Sequence, residues 1–108
     1  MRGWVAQGGW GTHRPIGEWS GVVVDDEGRV VKLERVQGYL TGPIPTVLGR
    51  LTALKHMDLD SNQLSGPIPT ELGRLTALAT LALTSNQLSE NDKADVKRVL
   101  PNCGFLRV

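Results

Sequence analysis

The sequence predicts an α/β repeat fold, short strands alternating with return segments. Three observations carry the prediction: a phrase written twice 24 residues apart, leucines at fixed offsets within it, and proline- and glycine-rich runs that exclude long helices and central strands. Residues 40–63 read LTGPIPTVLGRLTALKHMDLDSNQ and residues 64–87 read LSGPIPTELGRLTALATLALTSNQ, identical at 17 of 24 positions. A period in the twenties with leucines at regular offsets suits a stack of small supersecondary units.

Within each unit the pattern Leu54-x-x-Met57-x-Leu59-x-x-Asn62-x-Leu64 recurs as Leu78-x-x-Leu81-x-Leu83-x-x-Asn86-x-Leu88. The alternation Met57/Leu59, then Leu81/Leu83, predicts short strands with these side chains inward. Asn62 and Asn86 follow where the chain must turn. A carboxamide offers donors and an acceptor together, so these two are assigned a structural role, bonding backbone groups that the turn leaves unpaired. In the return segment Pro67 and Pro69 preset an extended passage, Ile68 points inward and Gly66 permits a bend. TELGRL is too short for a full α-helix and predicts a 3₁₀ turn that drops Leu72 and Leu75 onto the interior.

These residues closely resemble the plant-type leucine-rich repeat, L-x-x-L-x-L-x-x-N-x-L-S-G-x-I-P, over residues 40–88. The resemblance implies a right-handed leucine-rich-repeat solenoid with a parallel sheet on its concave face, the face that members of the family use for binding.

The ends depart from the repeat. Moving back by 24 residues places Val30, Leu33 and Leu40 in register as a degenerate first repeat, with Arg35 at an inward leucine position and Gly38 at the asparagine position. Either the charged side chain is accommodated at the end of the stack or the first strand is shifted; the end effect is the expectation, since terminal repeats are atypical. Upstream, WSGVVVDDEGRVVKL alternates on both sides of Asp25-Asp26-Glu27-Gly28 and predicts a hairpin. It resembles the W-x-G-V…G-R-V cap of the same family, and Trp4, Trp10 and Trp19 suit an apolar lid over the open end of the stack. At the other end, Ser89 and Asp92 have capping-box spacing, Val96, Val99 and Leu100 share a helical face, and Pro101 stops the run. Phe105–Val108 then reads as a last parallel strand, with Cys103 a core residue. The expected organisation is a Trp-rich cap and hairpin (1–29), repeats (30–88), and a C-terminal α-helix plus last strand (89–108), all in one domain.

Composition narrows the function. The chain has 108 residues, 40% apolar residues and a net charge of +1, and its twelve basic residues are scattered rather than gathered into a stripe, which argues against nucleic acid as a partner. The single cysteine forms no internal disulfide and points to a reducing compartment, hence the cytoplasm, with an extracellular location left open for a fragment. No stretch reaches the ~18 apolar residues of a membrane span, and no secretory signal is legible at the N-terminus.

No catalytic motif, phosphate loop or dinucleotide fingerprint is present, and no cofactor is expected. His56, Asp58 and Asp60 fall on outward positions, close enough to suggest a metal-dependent hydrolase as a minor alternative, but the next repeat supplies only Thr80, Ala82 and Thr84. Asp25, Asp26 and Glu27 lack the alternating oxygens of a Ca²⁺ loop and read as a polar turn. What remains is a surface. The expected partner-binding residues of the concave face are Lys32, Glu34, His56, Asp58, Asp60, Thr80, Thr84, Phe105 and Arg107. The functional expectation is a non-catalytic protein-recognition module, with a structural segment of a larger receptor or leucine-rich-repeat GTPase as the alternative. Weak self-association is expected through the last strand's edge or the Trp-rich cap.

Overall fold

The computed structural model describes residues 21–38 and 40–108. The tryptophans expected to form a lid, Trp4, Trp10 and Trp19, lie outside the described residues. Strand β1 (Val22–Val24) pairs antiparallel with β2 (Val30–Glu34), so the hairpin expected around Asp25–Gly28 forms, with an irregularity between Val23 and Val24. Asp25 holds the turn: its carboxylate accepts from the Glu27 and Arg29 backbone N–H groups and from Arg29 Nε. These bonds, the Arg29 backbone N–H foremost, hold the Asp25 pKa below the ordinary carboxylate value.

From β2 onward the sheet is parallel. β4 (His56–Asp58) lies beside β2, β6 (Thr80–Ala82) beside β4, and β7 (Phe105–Arg107) beside β6, giving a five-stranded sheet in the order β1-β2-β4-β6-β7. Through the repeats the register is the sequence period itself: Leu33 faces Met57 and Met57 faces Leu81, 24 residues apart, while Leu81 faces Leu106 after one inserted residue. Shorter strands β3 (Thr41–Gly42) and β5 (Gln63–Leu64) pair parallel on a second side of each unit. The polyproline returns then lead into 3₁₀ turns at Thr46–Arg50 and Thr70–Arg74, as expected.

The core is a column of repeat positions. Leu40, Leu48, Leu54, Met57 and Leu59 from one unit stack against Leu64, Leu72, Leu78, Leu81 and Leu83 from the next, all buried, with Ile44 and Ile68 between the prolines. Each buried leucine of this kind is worth about 1.5–3 kcal/mol relative to exposure, so the repeated leucines supply most of the apolar driving force. Helix α1 (Glu90–Val99) replaces the third return. Ser89 Oγ accepts from the Asp92 N–H while Asp92 accepts from the Ser89 N–H, the reciprocal cap its spacing predicts, and Val96 and Leu100 seal the core. Cys103 is half-buried rather than fully interior, packed against the core with its thiol aimed at the Phe105 carbonyl.

The two asparagines bond backbone as expected, and they do so in one direction. Asn62, 7% exposed, accepts from the N–H groups of Gly38 in the preceding unit and of Leu40 where that unit ends and its own begins, donates to Arg35 O of the preceding unit, and donates to Leu59 O and Asp60 O of its own turn. Asn86 likewise reaches back to Leu64 N–H and Leu59 O, and holds Leu83 O and Thr84 O. Just before each asparagine position the backbone turns left-handed, at Gln37 (φ 54°), Ser61 (φ 60°) and Ser85 (φ 57°).

The first unit shows why its two departures are tolerated. Its register with β4 is unshifted, so Arg35 is an end effect. A Cβ on Gly38 would lie 2.6 Å from Arg35 Cγ; the arginine stem occupies the space that a side chain at position 38 needs. The leucine-to-arginine and asparagine-to-glycine changes are therefore one coupled change.

Candidate functional site

The outer face of the parallel sheet is assembled by register. One row carries Lys32, His56, Thr80 and Phe105, and the next carries Glu34, Asp58, Ala82 and Arg107, each residue directly beside its neighbour on the adjoining strand. Alternation of side chains sends Leu33, Met57, Leu81 and Leu106 to the other side, so the same short strands build the core and display the site.

The rows enclose an open depression of about 310 Å³ lined by Lys32, Glu34, His56, Asp58, Thr80, Phe105 and Arg107, with Leu33, Met57 and Ala82 completing it. Seven of the nine expected binding residues thus meet in one place. Phe105 stands 56% exposed at its rim, an unusual state for a phenylalanine. Lys32 pairs with Glu34 at 3.8 Å, and the imidazole Nδ1 of His56 lies 3.1 Å from the Thr80 hydroxyl.

Asp60 requires a correction. It was expected to face solvent, yet it is 9% exposed because Arg107 reaches across from β7 to its carboxylate, Nη2 to Oδ2 at 2.5 Å. Its other oxygen accepts from the Thr84 backbone N–H at 2.7 Å. Both oxygens are therefore committed to holding neighbouring units together. Thr84 is half-buried, and neither residue lines the depression. The hydrolase alternative loses a carboxylate to this ion pair, and among the described residues no group of three or more His, Cys, Asp or Glu side chains is placed to hold a metal ion.

A second hollow of about 570 Å³, not foreseen from the sequence, lies where the strands begin. It is lined by residues that include Val23, Val31, Thr52, Ala53, Lys55 and Ala77. Thr52-Ala53 recurs unchanged as Thr76-Ala77, so no variation between repeats flagged it. At the opposite end, burial pushes the Cys103 thiol up from its ordinary pKa, which disfavours the reactive thiolate.

Comparison with known proteins agrees with this architecture. The Leucine Rich Repeat family matches residues 53–75. Among solved structures, the BIR3–SERK2 complex from Arabidopsis thaliana is 33% identical with a TM-score of 0.62, over 72% of this chain and 43% of that one. The BIR2 ectodomain from Arabidopsis thaliana is 39% identical with a TM-score of 0.62, over 68% and 40% respectively. The PEPR1–AtPEP1 structure is 36% identical with a TM-score of 0.62, over 67% and 10%. The chain thus spans about two fifths of the first two and a tenth of the third. No curated protein sequence matches it. The expected cytoplasmic location has no support among these neighbours, of which BIR2 is described as an ectodomain. Among the described residues no helix is long and apolar enough to cross a membrane.

Proposed function

Because this chain is built of plant-type leucine-rich repeats, we propose that it is a non-catalytic protein-recognition module that engages its partner through the outer face of the parallel sheet. One observation carries the reading. The two clear repeats agree at nearly every core position and differ at His56/Thr80, Asp58/Ala82 and Asp60/Thr84, and the sheet brings the first two of these pairs into a single depression with Phe105 at its rim. A fixed scaffold with changing display positions is the arrangement that lets one fold serve different partners. One of the similar structures is described as a complex, BIR3 with SERK2, and another pairs PEPR1 with AtPEP1, which supports a protein or peptide as the ligand class here.

A second reading is favoured by the lengths: the chain spans less than half of each of these neighbours, as a segment of a longer receptor would, and in that setting its face would extend a larger binding surface outside the cell. Both readings use the same face. Placing a photo-crosslinking amino acid at position 80, and separately at position 74 on the 3₁₀ turn of the opposite side, tests it. Covalent capture of a partner from position 80 and not from 74 is expected; capture from 74 alone would overturn the assignment.

A further inference from the structure

The sheet face holds an uncompensated charge at its centre. Its ionised groups are Lys32, Glu34, Asp58, Asp60 and Arg107, two positive and three negative. Lys32 is taken by Glu34, and Arg107 by Asp60. Asp58 is left, among the described residues, without an ion-pair partner; one of its oxygens accepts the Asp60 backbone N–H at 3.1 Å. Beside it on the next strand is Ala82, whose methyl group makes a low step between the longer side chains of Asp58 and Arg107. The result is a hollow with two carboxylates, of which Glu34 is paired and Asp58 is outside any ion pair among the described residues, a low floor at Ala82, and an exposed phenyl ring as a wall.

Resting on the recognition role above, we propose that this hollow is a subsite for a single basic side chain, lysine or arginine, presented by the partner protein. The hollow, at about 310 Å³, has ample room for one such side chain. The methylenes of a basic side chain would lie over Ala82, its charge would meet Asp58 with Glu34 next to it across the strand pair, and Phe105 would flank it as an aromatic wall. An acidic side chain would find the opposite: the two cations of the face are already paired, and the free charge is negative. The polarity of the subsite follows from which charges the fold has already neutralised.

The test is a random peptide library displayed against the purified chain, selected in parallel on wild type, on Asp58→Asn, which keeps shape and removes charge, and on Thr80→Arg, which fills the hollow; circular dichroism confirms that all three are folded. Wild type should enrich peptides with one invariant Lys or Arg. Changing that residue to norleucine should weaken binding about five- to tenfold, and Asp58→Asn should weaken the parent peptide by a similar factor while leaving the norleucine peptide unchanged, the mark of a direct pairing. Peptides that lose binding to Thr80→Arg but show no basic preference would overturn the basic-side-chain subsite and leave the sheet face standing. Peptides indifferent to Thr80→Arg, or no selected binder at all, would overturn the face as well.

Discussion

Residues 40–63 and 64–87 are nearly the same sentence written twice, yet the same residue meets different neighbours in the two copies. Gly49 of the first is buried beneath the second: a Cβ there would sit 2.5 Å from the Glu71 backbone carbonyl. Gly73, its counterpart, faces the C-terminal helix at greater distance, and a Cβ would meet only the Val99 carbonyl at 3.3 Å. Gly42 sits at φ +77° with open space around it, whereas Gly66 is crowded by the Asp92 carboxylate of the helix cap. A repeat consensus therefore describes a shape that every unit shares, while the energetic weight of each letter is set by whatever is stacked next to it.

The asparagines should break the equivalence most. Asn62 is nearly enclosed and spans two turns with five hydrogen bonds, whereas Asn86 is half-buried and makes four. Asn62→Ala is expected to cost about 3 kcal/mol and Asn86→Ala about 1.5 kcal/mol, because more backbone groups lose a partner without gaining water in the first case. Urea melts of the two variants measure the difference, and equal midpoints would remove the distinction between an inner and an outer rung.

The glycines should follow. Gly49→Ala must displace backbone of the adjoining unit and is expected to cost about 2 kcal/mol, while Gly73→Ala should stay within about 0.5 kcal/mol of wild type. Thermal unfolding of the pair suffices, and a large loss at Gly73 would mean that the helix packs as tightly as a repeat does.

The smallest contrast is at Asp60 and its counterpart Thr84. Asp60→Ala abandons Arg107 and the Thr84 N–H, for an expected loss of about 1–2 kcal/mol that shrinks in high salt; Thr84→Ala should be nearly silent. A loss at position 60 that is indifferent to salt would assign the effect to the backbone bond rather than to the ion pair.

Most of this scaffold was legible in the sequence because it is periodic. Leucine spacing named the core, and since parallel register preserves the 24-residue offset, Lys32, His56 and Thr80 fall in one row from the sequence alone, with Phe105 joining them once one inserted residue is allowed. What escaped was every feature that depends on how far a side chain reaches. The burial of Asp60 is decided by an arginine 47 positions away, and no local pattern announces that contact. The coupling of Arg35 to Gly38 requires knowing that the arginine stem folds back over its own turn. Cys103 was placed on a leucine position, and it does pack on the core, but it lies on the last unit, where no further repeat covers it among the described residues.

The one-way reach of the asparagines gives the stack a growing end. Each of the two clear repeats carries the side chain that fastens it to its predecessor and offers its own turn to a successor. A further copy of residues 64–87 inserted after Gln87 would bring its own asparagine and find acceptors and donors waiting. A copy inserted ahead of residue 40 would lie between a following unit that carries Asn62 and a preceding one with Gly38, and it too would bring the residue it needs. The first unit has Gly38 at the fastener's position, and the described strand beside it on that side, β1, pairs with it in the opposite sense. Tandem duplication can therefore lengthen this protein one unit at a time without a compensating change elsewhere, as a polymer extends from its living end.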